Sequence, residues 1–82
     1  MHNAKHRLHA TRPTYLEPLR SELARILNRP GSPEVDITAT ERSLTFDCRT
    51  WEPILVTRVE DAMDELLGNA WRAGFRPDRS RL

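Results

Sequence analysis

Apolar and polar positions along this 82-residue chain fall into three patterned stretches separated by turn-formers. Between Thr14 and Asn28, Leu16, Leu19, Leu23, Ile26 and Leu27 recur at three- and four-residue spacing, with Arg20, Glu22 and Arg25 on the other faces. That period predicts an α-helix with one apolar stripe. Thr14-Tyr-Leu-Glu17 has the form of a capping box, in which hydroxyl and carboxylate each accept an orphan N–H. Pro18 falls in the first turn, where it removes no intrahelical donor. Pro30, Gly31 and Pro33 then end the helix.

From Glu34 to Arg49 the period changes to two. Val35, Ile37 and Ala39 alternate with Asp36, Thr38 and Thr40, and Leu44, Phe46 and Cys48 alternate with Thr45, Asp47 and Arg49. Two such runs joined by the polar stretch Thr40-Glu-Arg-Ser43 predict a β-hairpin with one apolar face. Residues 1–13 hold three His, two Arg and one Lys with few apolar side chains, the composition of a flexible basic tail. Within it His6, Leu8 and Ala10 alternate with Arg7 and His9, which marks a short candidate edge strand.

The longest periodic run lies in Leu55–Gly74. The last helix is predicted to begin between Trp51 and Arg58, with Thr57-Arg-Val-Glu60 as a second capping-box form, and to continue to a C-cap at Gly74. Val59, Ala62, Met63, Leu66, Leu67, Ala70 and Trp71 make its apolar face. Arg58, Asp61, Glu65, Asn69 and Arg72 make a polar stripe at helical spacing. Phe75 is placed to tuck back onto the preceding turn, and residues 76–82 form a basic tail. The expected architecture is α+β in the order α-β-β-α. A single domain over residues 14–75 packs two helices on one face of an antiparallel hairpin, with a short N-terminal strand at its edge.

A length of 82 residues makes one domain with a modest core. Charged residues are 30% of the chain, yet the net charge is +1, which argues against an acidic disordered chain and against strong non-specific binding to nucleic acid. The lone Cys48 has no partner for an internal disulfide, so a reducing, cytoplasmic compartment is expected; its place in the alternation makes it a small core residue. No apolar run approaches a membrane span. His2, His6 and His9 have no nearby Cys to complete a structural zinc set, so no metal site is assigned to them.

Candidate chemistry is confined to one stretch. Glu65 and Asn69 are four residues apart, so on a continuous helix they share a face. A carboxylate there can polarise water, and an amide oxygen is a hard ligand suited to Mg²⁺. Glu65-Leu-Leu-Gly-Asn69-Ala70-Trp-Arg-Ala73-Gly74 resembles the N-box helix of the GHKL ATPases, the superfamily of histidine kinases, gyrase-type and mismatch-repair ATPases. The preceding order of helix, two strands and helix over residues 14–75 is similar to the start of a histidine-kinase catalytic domain. The resemblance implies that Glu65 matches the family's general base and Asn69 its Mg²⁺ ligand on the ATP phosphates. The family's later glycine-rich boxes have no counterpart, since the only glycines are Gly31, Gly68 and Gly74; hydrolysis of ATP by this chain is therefore not expected and no cofactor is assigned. With residues 6–10 as a strand, the element order also resembles that of the small dimerising subunit of the KEOPS tRNA-modification complex.

Three functions follow as expectations. The first is a small, non-enzymatic protein-binding regulator or inhibitor of the kind phages and mobile elements encode. Its binding surface is either an open sheet edge or the polar stripe Arg58, Asp61, Glu65, Asn69 and Arg72; Trp71 or Trp51 is either an aromatic anchor at the rim or, the favoured reading, a ring that completes the small core. An open edge can be filled by residues 6–10, by a second copy in a homodimer, or by another protein. The alternative is a reduced GHKL-like fragment that binds Mg-nucleotide through Glu65 and Asn69. The third is a minor nucleic-acid-binding module using Arg76, Arg79, Arg81 and the N-terminal basic residues.

Overall fold

The computed structural model of the chain describes residues 4–12, 14–48 and 55–77. Along these, β1 (Ala4–Ala10), α1 (Glu17–Leu27), β2 (Val35–Ala39), β3 (Ser43–Cys48), α2 (Leu55–Leu67), a 3₁₀ helix (Asn69–Ala73) and β4 (Phe75–Pro77) follow one another. The four strands form one antiparallel sheet in the order β2-β3-β1-β4. β1 and β2 thus flank β3, and a helix crosses between each separated pair. This is the split β-α-β arrangement of ferredoxin-like α+β proteins.

The hairpin forms where the alternation placed it, with Val35 opposite Cys48, Ile37 opposite Phe46 and Ala39 opposite Leu44. Its turn works without glycine. Thr40 N–H donates to the Ser43 carbonyl at 2.9 Å, and Thr40 Oγ1 accepts the N–H groups of Ser43 at 3.1 Å and Arg42 at 3.3 Å. A threonine hydroxyl therefore satisfies the donors that an Asn-Gly turn would manage by backbone conformation.

The N-terminal segment departs from the expected flexible tail and edge strand. β1 lies inside the sheet, with Leu8 opposite Leu44 on one side and Pro77 on the other. Burying Leu8 and Ala10, pairing with β3 along the strand and pairing with β4 at Leu8–Ala10 is what orders a segment of such polar composition. Nor are residues 76–82 wholly tail, because Arg76 and Pro77 belong to β4. His2 and Trp51 lie outside the described residues.

Both helices cover the same face of the sheet. Leu23, Ile26 and Leu27 of α1 and Leu55, Val59, Ala62 and Met63 of α2 join Leu8, Val35, Leu44, Phe46 and Cys48 in one core. Cys48 is buried, as its place in the alternation predicts. α1 starts two residues later than the Thr14 capping box requires. Leu16 is its N-cap, with no side-chain cap. The Thr14 N–H goes instead to the Glu41 carbonyl at 3.3 Å, and the Glu17 carboxylate takes the Arg20 guanidinium at 2.7 Å.

α2 ends at Leu67, seven residues short of the predicted Gly74. Gly68 adopts φ 76°, ψ 171°, a region open essentially to glycine alone. The chain re-enters a 3₁₀ turn at Asn69 and then β4. Leu67 and Ala70 are consequently exposed rather than on a continuous apolar face, whereas Trp71 swings into the core. Among the described residues no helix is long and apolar enough to cross a membrane.

Candidate functional site

The break at Gly68 divides the polar stripe. Arg58, Asp61 and Glu65 stay on α2 and line a shallow groove of about 210 Å³ together with Arg29 and Ser32 from the α1–β2 connection. Arg58 donates from Nη2 to the Leu27 carbonyl at 2.8 Å and to the Pro33 carbonyl at 3.3 Å, which closes the C-terminus of α1. Its role is to hold two elements together. Glu65 is ion-paired with Arg29 at 3.1 Å.

Arg72 and Trp71 gather elsewhere, around Asp64. The Trp71 indole donates to Asp64 Oδ1 at 2.6 Å, and Arg72 Nη1 reaches the same oxygen at 2.9 Å while its guanidinium lies 4.5 Å from the centre of the Trp71 ring. The Trp71 indole, and then Arg72, hold the Asp64 carboxyl below the usual carboxylate range. Trp71 is only 7% exposed, so it is a core residue rather than an aromatic anchor. Asn69 lies beyond Gly68, on the 3₁₀ helix. The helical register that would set its amide on the face of Glu65 is interrupted, and the two are not presented together as a nucleotide-binding pair by one helix.

The sheet supplies a more coherent site. Its strand order leaves β2 at one end. Because Thr40 exchanges a hydrogen bond with Ser43, the residues of β2 that face β3 through their backbone are Thr40, Thr38 and Asp36. The N–H and C=O groups of Val35, Ile37 and Ala39 point the other way, off the sheet. At Val35 both are satisfied: Val35 N–H donates to Asn28 Oδ1 at 2.7 Å, and Asn28 Nδ2 donates to the Val35 carbonyl at 3.0 Å. One side-chain amide thereby imitates a paired strand residue and closes the first position of the edge. Ile37 and Ala39 keep outward groups with no partner among the described residues.

Beside this edge the surface is apolar. Tyr15 is 80% exposed, and with Leu16 and Ala39 it lines a groove of about 300 Å³ rimmed by Glu17 and Glu41. Ile37 and Ala39 are half-buried against the core. β2 itself carries one charge, Asp36, and neither Lys nor Pro, and its register with β3 is unbroken by a bulge. Sequence reasoning identified an open edge but not its plug. Asn28 stands before Arg29-Pro30-Gly31 and reads as a helix terminator, and only the return of β2 gives its amide a second task.

The helix-free face of the sheet is polar. Lys5, Arg7, Asp36, Thr38, Thr45 and Asp47 line a broad shallow surface there. Asp36 stands opposite Asp47, which Lys5 approaches at 3.8 Å. His9 belongs to this face, whereas His6 points toward the helices and stacks on Phe46 at 6.4 Å between ring centres. Successive histidines of β1 are therefore held on opposite sides of the sheet. No protein-family model, curated protein or solved structure matches this chain.

Proposed function

We propose that this chain is a small, non-enzymatic protein-binding regulator or inhibitor that takes an extended segment of its partner as an additional strand along β2. The observation that carries the reading is the pair of outward-facing backbone residues, Ile37 and Ala39, on an edge without Lys, Pro or a bulge. Edge strands exposed to solvent are normally blunted by Lys, Pro or bulges; β2 has only Asp36. Strand addition draws affinity from main-chain hydrogen bonds and specificity from neighbouring side-chain pockets, and the Tyr15–Leu16–Ala39 groove is such a pocket. The polar groove at Asp61 and Glu65 is a weaker candidate, because its carboxylate at Glu65 is already matched by Arg29.

Ala39→Pro tests this directly. The Ala39 N–H points off the sheet, so proline there removes no β2–β3 hydrogen bond and sets its ring on the edge. Tagged wild-type and Ala39→Pro chains, each co-expressed with an untagged copy, are compared for the proteins they retain. The expected result is a stoichiometric chain held by the wild type and absent from Ala39→Pro, with the two baits giving superimposable circular dichroism. Identical retained sets for the two baits would remove the edge from consideration.

A further inference from the structure

We infer that the strand added along β2 is the β2 of a second copy, in a two-fold antiparallel register centred on Thr38. The inference rests on the strand-addition reading above and names its partner. It starts from the Asn28 plug. With the groups of Val35 occupied, each copy offers the N–H and C=O of Ile37 and Ala39 and nothing else along the strand. A symmetric register centred on Ile37 pairs Ile37 with its own mate but sets Ala39 against the plugged Val35. One centred on Ala39 uses the Ala39 groups and carries Ile37 past the strand end, opposite Glu41 in the turn. Centred on Thr38, Ile37 of each copy faces Ala39 of the other, and every outward donor and acceptor finds a partner.

Side chains agree with that register. Ile37 and Ala39 share the helix-covered face, and the Tyr15–Leu16–Ala39 groove lies beside Ala39. Bringing Ile37 of one copy against Ala39 of the other delivers a branched apolar side chain to the groove, twice, by symmetry. Knob and groove sit on one strand, offset by two residues, which is the self-complementarity an isologous interface needs. On the polar face Thr38 meets Thr38, a favourable cross-strand pair, and Asp36 meets Thr40, so no like charges oppose each other. The product is a continuous sheet of two copies with all helices on one side.

Light scattering on the full chain, from micromolar to near-millimolar, reads the outcome. The wild-type mass is expected to rise from 9.5 kDa to twice that value. Thr38→Lys and Thr38→Glu put like charges face to face in this register alone, so each is expected to remain at the single-chain mass. An equimolar mixture of the two is expected to recover the doubled mass. A wild type that stays at the single-chain mass throughout overturns the self-pairing. In that case retention of another protein by the wild type but not by Ala39→Pro leaves strand addition standing. A doubled mass that survives in Ala39→Pro overturns the self-pairing along β2, since the copies would then meet elsewhere. A dimer broken by Ala39→Pro yet retained by Thr38→Lys overturns the Thr38-centred register.

Discussion

At the scale of single residues, the sharpest feature is His6. Its ring lies on the helix side of β1 against Phe46, half-buried, and its Nε2 is buried without a hydrogen-bond partner. Burial holds its pKa below the ordinary 6.5, with Glu60 on α2 pulling weakly the other way. A histidine that is harder to protonate when folded than when unfolded adds stability above pH 6.5, and that contribution is lost as pH falls through the folded value. His6→Leu is therefore expected to flatten the stability profile as pH falls below 6.5, where the wild type loses melting temperature. Thermal melts at several pH values check this; parallel profiles for the two proteins would show that another group titrates. A second unpartnered buried atom is Asp47 Oδ1, beside the like-charged Asp36 on the neighbouring strand. By contrast, Asp64 Oδ1 accepts from both an indole and a guanidinium.

At the scale of elements, Gly68 decides where α2 stops. An added Cβ would meet nothing within 4 Å, so the cost of Gly68→Ala is conformational rather than steric. Holding alanine at φ 76°, ψ 171° is expected to cost about 1–3 kcal/mol. For a domain of this size each kcal/mol lowers the melting temperature by about 4–8 °C. An unchanged melting curve would mean that α2 simply extends through Asn69 in the variant. The same glycine explains what sequence alone could and could not reveal. Helical spacing continues across it from Leu67 to Trp71, so periodicity reports one long helix and a shared face for Glu65 and Asn69. Backbone conformation at a single position has no hydrophobic signature. The hairpin was legible because its two faces meet different surroundings, core and water. α1 was legible for the same reason, though not its start, where a tertiary contact from Glu41 takes the Thr14 N–H that the capping box would have used. β1 was hardest to place. Its neighbours are remote in the chain, and its outward residues Lys5, Arg7 and His9 resemble those of a solvated tail.

At the scale of the whole molecule, a two-layer build leaves a bare sheet face and the outer edge of β2, two surfaces that differ in kind. The bare face is broad and carries Lys5 and Arg7 beside Asp36 and Asp47, with the hydroxyls of Thr38 and Thr45 between them. Water satisfies such a surface well. The edge is narrow, apolar at its flank, and offers main-chain groups whose directions are fixed by the sheet, which is why the functional proposal lies there. The site residues expected on one helical stripe are instead divided among scaffold roles at Arg58, Trp71 and Arg72, an ion pair at Glu65, and the solvent-exposed Asp61 and Asn69. The interior position of β1 also has a consequence in time. Leu8 pairs with Leu44 and Pro77, so both neighbours of β1 are remote in the chain and are made after it. Pairing of β2 with β3 is local in the chain and pairing of β1 with β3 is not, so the hairpin is expected to form first and β1 to close the sheet as a late step. Leu8→Ala is expected to cost about 2–5 kcal/mol, expressed mainly as faster unfolding with little change in the folding rate. Stopped-flow kinetics would reject that order if the folding rate fell in proportion to the lost stability. In a late-closing sheet, a newly made chain meets a choice between its own β1 and the hairpin of another molecule. Synthesis rate and local concentration then bear on whether each copy completes itself or exchanges its first strand with a neighbour.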